Sequence, residues 1–149
     1  MKNPEEYMHL ALQLAGEAGK RGETPVGCVI TDKAGTVIGR GSNRREEQKS
    51  ALAHAEMEAI SEACRALGDW RLDACTIYVT LEPCPMCAGA LIMARAGRVY
   101  YGARENASGS CGSVLNLFME PYGHKTQITG GILAEECAAL LTDFFAQLR

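Results

Sequence analysis

Long apolar segments are absent from this 149-residue sequence. No run approaches the roughly 20 consecutive apolar residues that a helix needs to cross a bilayer, so the sequence predicts no membrane-spanning segment. The first 20 residues also lack the pattern of a secretory signal, because acidic residues come early and the apolar residues are spaced rather than continuous. We therefore expect this segment to form part of the mature fold.

An even set of cysteines, the usual sign of a disulfide framework, is missing as well. The chain has 7 cysteines, and an odd number without a secretory signal argues against structural disulfides. The sequence therefore predicts a reducing, cytoplasmic environment in which most cysteines are small buried hydrophobic residues. Only Cys84 and Cys87 have a spacing that indicates another role.

A strong charge of one sign and internal linkers are also missing. The formal net charge is −3, which argues weakly against a broad nucleic-acid-binding surface, since such surfaces are usually basic. Hydrophobic residues make up 47% and charged residues 22% of the chain, values typical of a globular domain. Without repeats or Pro/Ser-rich stretches, residues 1–149 are predicted to form a single domain.

Helical and strand patterns alternate along the chain. Asn3 and Pro4 predict the start of the first helix, as a cap and a first-turn proline. The predicted helices cover residues 4–20, 53–67, 84–96 and 133–148, and the predicted strands cover 26–31, 75–81, 98–102 and 126–130, with a further strand beginning at 36–39. Residues 43–49 and the Gly/Ser-rich residues 108–113 are predicted to be loops, the latter on the surface. This alternation predicts a layered α/β domain with helices covering a sheet of about five strands.

A Cys-x-x-Cys motif opens the third long helix. Cys84 and Cys87 are three residues apart, which places their side chains on one helix face. Pro83 and Pro85 suit a helix start, where a missing N–H costs nothing. The positive end of the helix dipole favours thiolates over thiols, and thiolates are zinc ligands.

His54 and Glu56 form a second motif. In mid-helix they would point to nearly opposite sides, so we expect His54 at or near the helix start, where a ligand can lie across the helix end. With Cys84 and Cys87, His54 would give zinc three protein ligands and leave the fourth position to water, the pattern of catalytic sites. Glu56 is then predicted to be the general acid/base that moves protons from water to the ring nitrogen and the departing amine.

Each motif alone has an ordinary explanation. His-x-Glu on a helix is commonly a solvated surface, and Cys-x-x-Cys can be a redox pair or half of a structural zinc site. A closed structural site needs a fourth ligand, and His9 and His124 lack ligand spacing. The combination H-x-E…P-C-x-x-C is the known signature of zinc-dependent nucleobase deaminases, which favours a catalytic Zn²⁺.

The sequence resembles the bacterial tRNA-specific adenosine deaminases, which convert the wobble adenosine of an anticodon to inosine. The zinc signature alone marks the wider cytidine-deaminase-like superfamily, whereas the flanking and C-terminal segments point to the tRNA branch. The resemblance is carried by residues 24–27, 53–56, 78–90, 102–104, 131–137 and 144–145. It implies a three-layer cytidine deaminase-like fold with a central mixed sheet, a tRNA anticodon stem-loop as substrate, and a homodimer with one Zn²⁺ per subunit.

The resemblance also implies three substrate-binding positions. Asn43 matches a substrate-contacting asparagine whose amide bonds the ribose or ring, and Ala55 would offer its backbone N–H to the base or leaving group. Glu105 stands where the family often has a shorter acidic residue near the ribose 2′-OH, a contact that would select RNA over DNA. An ordinary turn asparagine and a solvated carboxylate are the alternatives at positions 43 and 105.

We expect RNA to bind more weakly than in the family, which often has Asn-His-Arg where this chain has Gly-His-Lys at 123–125. The remaining candidates for RNA contacts are the cations Arg44, Arg45, Lys49, Arg104 and Lys125.

Three functions compete at this point. The leading one is hydrolytic deamination of adenosine in a structured RNA. The first rival is deamination of a free base or nucleoside, such as guanine or cytosine, by the same zinc machinery. The second rival is a non-catalytic, zinc-stabilised partner subunit. Glu56 argues against the second rival, because a purely structural zinc site does not need it.

Overall fold

A five-stranded sheet forms the centre of the protein. The computed structural model describes residues 1–148. Its strands are β1 (Gly27–Thr31), β2 (Val37–Ser42), β3 (Thr76–Leu81), β4 (Arg98–Ala103) and β5 (Gln127–Thr129). They follow the order β2-β1-β3-β4-β5. Strand β1 pairs antiparallel with β2 and β3, whereas β3–β4 and β4–β5 are parallel pairs. The predicted mixed sheet of about five strands is confirmed.

Helices cover both faces of this sheet. They are α1 (Pro4–Lys20), α2 (Arg45–Gln48), α3 (Ala55–Leu67), α4 (Pro85–Met93) and α5 (Ala134–Gln147), with a 3₁₀ turn at Leu117–Met119. Helices α1 and α5 contact the sheet and each other on one side, while α3 and α4 contact each other on the opposite side. The three-layer α/β architecture is therefore confirmed. No helix within residues 1–148 combines the length and hydropathy needed to cross a membrane.

Neighbouring residues of the central strands face different cores. Ile30 and Ile77 belong to the cluster beneath α3 and α4, whereas Val29 and Tyr78 belong to the cluster beneath α1 and α5. Side chains alternate across a strand, so a strand covered on both faces needs apolar residues at successive positions. This explains why β1 is buried along its whole length and has an almost continuous apolar sequence.

The sheet brings two helix starts to one edge. Because β1 lies between β2 and β3 and is antiparallel to both, β2 and β3 run in the same direction and end at the same edge of the sheet. Helix α3 begins after β2, and α4 begins after β3. Gly41 allows α3 to approach closely, since a Cβ at this position would lie 2.0 Å from the carbonyl oxygen of Ala55. The N-termini of α3 and α4 therefore meet at the same edge.

Two predictions differ from the structure: one helix was predicted too long, and one predicted loop contains a short helix. The helix predicted at 84–96 ends at Met93, because Arg95 has a φ of 58°, in the left-handed region. The loop predicted at 43–49 contains the one-turn helix α2. Buried Glu23 accepts hydrogen bonds from the N–H groups of Glu46 and Glu47, at 3.0 and 2.7 Å, and so fixes this turn.

The prediction of a surface loop at 108–113 is wrong for its middle part. Gly109, Ser110 and Cys111 are buried. Backbone N–H groups of this segment donate to the buried carboxylate of Glu82. A Gly/Ser-rich composition indicated exposure, but the carboxylate gives these polar backbone groups a partner inside the protein.

Candidate active site

The two predicted motifs each open a helix. His54 is the N-cap residue of α3, and Cys84 is the N-cap residue of α4, followed by Pro85 in the first turn. Both N-cap residues have extended backbone dihedrals, with ψ of 155° at His54 and 173° at Cys84. The prediction that His54 lies at the start of its helix is confirmed. Because its backbone is outside the helix, His54 can serve the same cavity as Glu56, two residues later.

A cluster of three metal-binding side chains forms where these helices meet. The Nδ1 atom of His54 lies 3.7 Å from the Sγ atom of Cys84 and 3.5 Å from that of Cys87. The three ligand atoms lie within 4.8 Å of one another. A nitrogen and a sulfur bound to one tetrahedral zinc are about 3.5 Å apart, given bond lengths of about 2.0 and 2.3 Å. The donor set and its spacing therefore fit zinc.

Hydrogen bonds within the cluster shift the pKa values of the two thiols in opposite directions. Cys84 receives hydrogen bonds from the Cys87 thiol and from His54, and these two bonds lower the pKa of Cys84 to about 4. The same hydrogen bond to Cys84, followed by burial, raises the pKa of Cys87. The pKa of His54 is raised, chiefly by its hydrogen bond with Cys84. Since zinc binds thiolates and neutral imidazole, binding at this cluster should release protons.

Glu56 is a buried carboxyl group beside the cluster. It is the second residue of α3, and only 4% of its surface is exposed. Burial raises the pKa of Glu56 to about 7, and the charge of Cys84 acts in the same direction. A carboxyl group with a pKa near neutrality can both accept and donate a proton. The geometry thus suits the general acid/base role predicted for Glu56.

A cavity of ≈ 160 Å³ opens over the cluster. Every predicted site residue except Cys87 lines it, and Cys87 itself is completely buried. The predicted residues in its wall are Asn43, His54, Ala55, Glu56, Cys84 and Glu105. The structure therefore brings together residues from four separate parts of the chain around one small space.

The three predicted substrate-binding residues differ in how many hydrogen-bonding groups they have left for a substrate. The side chain of Asn43 donates to the carbonyl of Thr24 at 3.3 Å and accepts from the N–H of Arg45 at 3.1 Å. An amide has two N–H donors and two lone pairs, so half of this capacity is left. Ala55 is the first residue of α3, where N–H groups have no partner within the helix. Glu105 uses one oxygen to accept from the N–H of Ala107 at 2.9 Å.

Ion pairs engage two of the cations predicted as RNA contacts. Arg44 bonds Glu58 at 2.8 Å and Glu47 at 3.1 Å. The Nε atom of Arg45 lies 3.8 Å from a carboxylate oxygen of Glu46. These acidic neighbours reduce the positive charge that this part of the surface offers to phosphates.

Comparisons with known proteins identify the family. The sequence profile of the cytidine and deoxycytidylate deaminase zinc-binding region matches residues 1–103. The chain is 45% identical to the tRNA-specific adenosine deaminase of Bacillus subtilis strain 168, over 100% of this chain and 92% of that protein. The chain belongs to the tRNA-specific adenosine deaminase family.

Solved structures agree with this deaminase in fold. A structure from studies of A-to-I editing by tRNA:A34 deaminases at the wobble position is 42% identical, with a TM-score of 0.86 over 91% of this chain and 99% of that chain. A guanine deaminase from Nitrosomonas europaea also has a TM-score of 0.86, but only 25% identity, over 98% of this chain and 86% of that chain. Similar zinc deaminase folds are therefore found in proteins named for different substrates.

The cavity of the deaminase contains residues that sequence analysis missed. These are Thr24, Val26, Leu81, Glu82 and Ser108, whereas Arg45, which also lines the cavity, was predicted as an RNA contact. Glu82 left a signal, because it is a charged residue at the end of the apolar β3 run and directly precedes the second motif. Burial raises the pKa of Glu82, but hydrogen bonds from Ser113 and three backbone N–H groups outweigh it and lower the pKa. No local pattern marks Ser108, which reaches the cavity only through the path of its loop.

Proposed function

We propose that this deaminase hydrolyses the 6-amino group of the wobble adenosine in a tRNA anticodon stem-loop, consuming water and releasing ammonia to leave inosine. The proposal depends on the cluster of His54, Cys84 and Cys87 beside buried Glu56. It is supported by similarity to a tRNA-specific adenosine deaminase along the full chain.

The proposed mechanism assigns the proton transfers to Glu56. His54, Cys84 and Cys87 would hold zinc, which when bound would supply the Lewis acidity that makes water nucleophilic near neutral pH. Glu56 accepts a proton as water adds to C6 of the purine and delivers it to the adjacent ring nitrogen. Glu56 then takes the proton of the new C6 hydroxyl and passes it to the amine, so that the C6–N bond breaks, ammonia leaves and the C6 carbonyl forms.

Three further residues are proposed to hold the substrate. Asn43 has one N–H and one lone pair left for the ribose or the ring. Ala55 offers a first-turn N–H to the base or its leaving group. Glu105 accepts a hydrogen bond from the ribose 2′-OH, which favours RNA over DNA. All three line the same cavity as Glu56, which supports their acting on one bound nucleotide.

We also propose that the deaminase acts as a homodimer in a reducing cytoplasm. Met93, Tyr122 and Trp70 are 74%, 58% and 52% exposed and surround a second cavity. Large exposed apolar side chains of this kind are typical of interfaces. Sedimentation equilibrium should give a dimer for the wild type and a monomer for Met93→Glu; a monomeric wild type would contradict the dimer proposal.

The cysteines support the proposal of a reducing cytoplasm. All seven cysteines are free thiols, which suits a reducing compartment.

The decisive experiment compares structured and free substrates. An anticodon stem-loop RNA with adenosine at the wobble position is incubated beside free guanine, cytosine and cytidine, and the products are measured by mass spectrometry. We expect inosine at the wobble position only. If the stem-loop stays unchanged while a free base is turned over rapidly, the alternative, deamination of a free base or nucleoside, replaces the proposal. Free guanine is included because the chain is similar to a guanine deaminase. Glu56→Ala, prepared in parallel, excludes a contaminating deaminase.

A further inference from the structure

Glu82 is a buried carboxylate with no part in the proposed proton transfers. It follows the last residue of β3 and lies two residues before Cys84. Only 2% of its surface is exposed. A buried carboxylate is costly unless its oxygens have hydrogen-bond donors, so the partners of Glu82 show what the residue does.

Within residues 1–148, all hydrogen-bond donors to the Glu82 carboxylate come from one segment of the chain, residues 105–113. One carboxylate oxygen accepts from the backbone N–H of Glu105 at 3.0 Å and from the hydroxyl of Ser113. The other accepts from the backbone N–H groups of Cys111 at 2.8 Å and Ser113 at 3.1 Å. Hydrogen bonds to an ionised group are stronger than neutral ones, so this segment is folded around a single charge.

Gly109 shows how closely the segment surrounds the carboxylate. A Cβ at this position would lie 2.4 Å from the carboxyl carbon of Glu82 and 2.4 Å from the carbonyl oxygen of Glu105. The backbone N–H of Gly109 donates to that same carbonyl at 2.8 Å. Only glycine leaves room for the carboxylate inside the turn. The Gly/Ser-rich composition of this segment therefore serves close packing rather than exposure.

The segment also forms part of the cavity wall. Glu105 and Ser108 line the same cavity as His54 and Cys84, and the N–H of Ser110 donates to the carbonyl of Pro83 at 2.9 Å. The residues that lead into Cys84 are thus joined to one wall of the cavity by Glu82 and by this backbone bond. A change at position 82 would move the wall relative to the cluster.

We propose that Glu82 is a positioning residue that holds the 105–113 segment in place over the cluster and thereby sets substrate affinity. The inference rests on the proposed function, because the affinity concerned is that for the RNA stem-loop. Glu82 acts through Glu105 and Ser108 rather than on the reacting atoms, since both of its oxygens are engaged by the segment.

The test is Glu82→Gln, measured with the full chain and bound zinc. Glutamine places an NH₂ group against N–H donors, so it cannot satisfy all of them. We expect KM for the stem-loop to rise by about tenfold or more, while kcat changes by less than about threefold and zinc content stays at that of the wild type. Amide hydrogen exchange at 105, 111 and 113 should become faster.

Asp32→Asn is the matched control. Asp32 also accepts two backbone N–H bonds, from Ala34 at 3.0 Å and Thr36 at 2.9 Å, but in the turn between β1 and β2. This variant should leave KM and exchange at 105–113 unchanged. If Glu82→Gln does not fold, Ser113→Ala removes only the hydroxyl contact and should raise KM in the same direction by a smaller factor.

An unchanged KM in the folded variant would overturn the proposal, and so would a loss of zinc, which would mean that Glu82 acts through Cys84 instead. Failure of the proposed function is recognised separately, because the wild type would then not convert the stem-loop. Zinc content, hydrogen exchange and KM for the free base that is accepted would still decide the role of Glu82.

Discussion

The Nδ1 atom of His54 lies 3.5 Å from the Sγ atom of Cys87, although 33 residues separate them in the chain. The sheet creates this proximity, because β2 and β3 run in the same direction and end at one edge. Helix α3, which the chain reaches from β2 through the short helix α2, and helix α4, which follows β3, each have a predicted zinc ligand as their N-cap residue. The metal-binding cluster is therefore a product of strand direction and helix starts together.

Replacing Glu56 by alanine should separate metal binding from chemistry. We expect zinc content to stay at that of the wild type, because three other residues supply the ligand atoms. Turnover of the stem-loop should fall by at least about 100-fold, since general acid/base catalysis contributes 10² or more. Metal analysis and product formation on the same preparation measure both effects. Substantial remaining turnover would refute the assignment.

Replacing Cys87 by alanine should remove both zinc and activity. The loss of one of three protein ligands should weaken zinc binding by more than about 100-fold, measured by competition with a chelator. Cys64→Ala is the control, because Cys64 lies near the other end of α3 and its thiol donates to the carbonyl of Trp70 at 3.7 Å. A Cys87→Ala variant that retains zinc would show that the ligand set is wrong.

The stability of the metal-free protein should depend on pH through Glu56. Burial raises its pKa from 4.5 to about 7 on folding, so the folded state holds the proton more tightly. The resulting stabilisation is complete below about pH 4.5 and is lost as the pH rises through about 7. The Glu56→Gln variant has no titrating group at this position, so it does not lose this stabilisation. The difference in free energy of unfolding, variant minus wild type, should therefore increase by about 3 kcal/mol between these pH values. Urea unfolding at several pH values measures it, and parallel profiles would contradict the prediction.

Discrimination between RNA and DNA should depend on Glu105. Two stem-loops are compared that differ only in a 2′-OH or 2′-H at the wobble nucleoside, and kcat/KM is measured for both. The preference of the wild type for the 2′-OH should fall by about tenfold in Glu105→Ala, because a hydrogen bond to a charged group is lost. Glu120→Ala, an exposed carboxylate, serves as the control. An unaltered preference in Glu105→Ala would remove Glu105 from the proposed contacts.

Local patterns were sufficient to predict most of the fold. The first helix begins at Pro4 with Asn3 as its cap, as its sequence indicates, because capping depends on residues within one turn. The predicted strands agree closely with β1, β3 and β4, since apolar runs reflect burial directly. The candidate zinc ligands were recognisable for the same reason: each motif is a short segment at a helix start.

The sequence by itself determined the elements, the helix starts and the residues that could bind zinc, because these depend on neighbours within a few positions. Only the tertiary structure decided that residues 109–111 turn inward, since the N–H groups of Cys111 and Ser113 donate to Glu82, more than 20 residues earlier. It also decided that Arg44 is held by Glu58 rather than free for phosphate. Burial of polar groups and pairing of charges depend on partners that only the folded chain brings within hydrogen-bond distance.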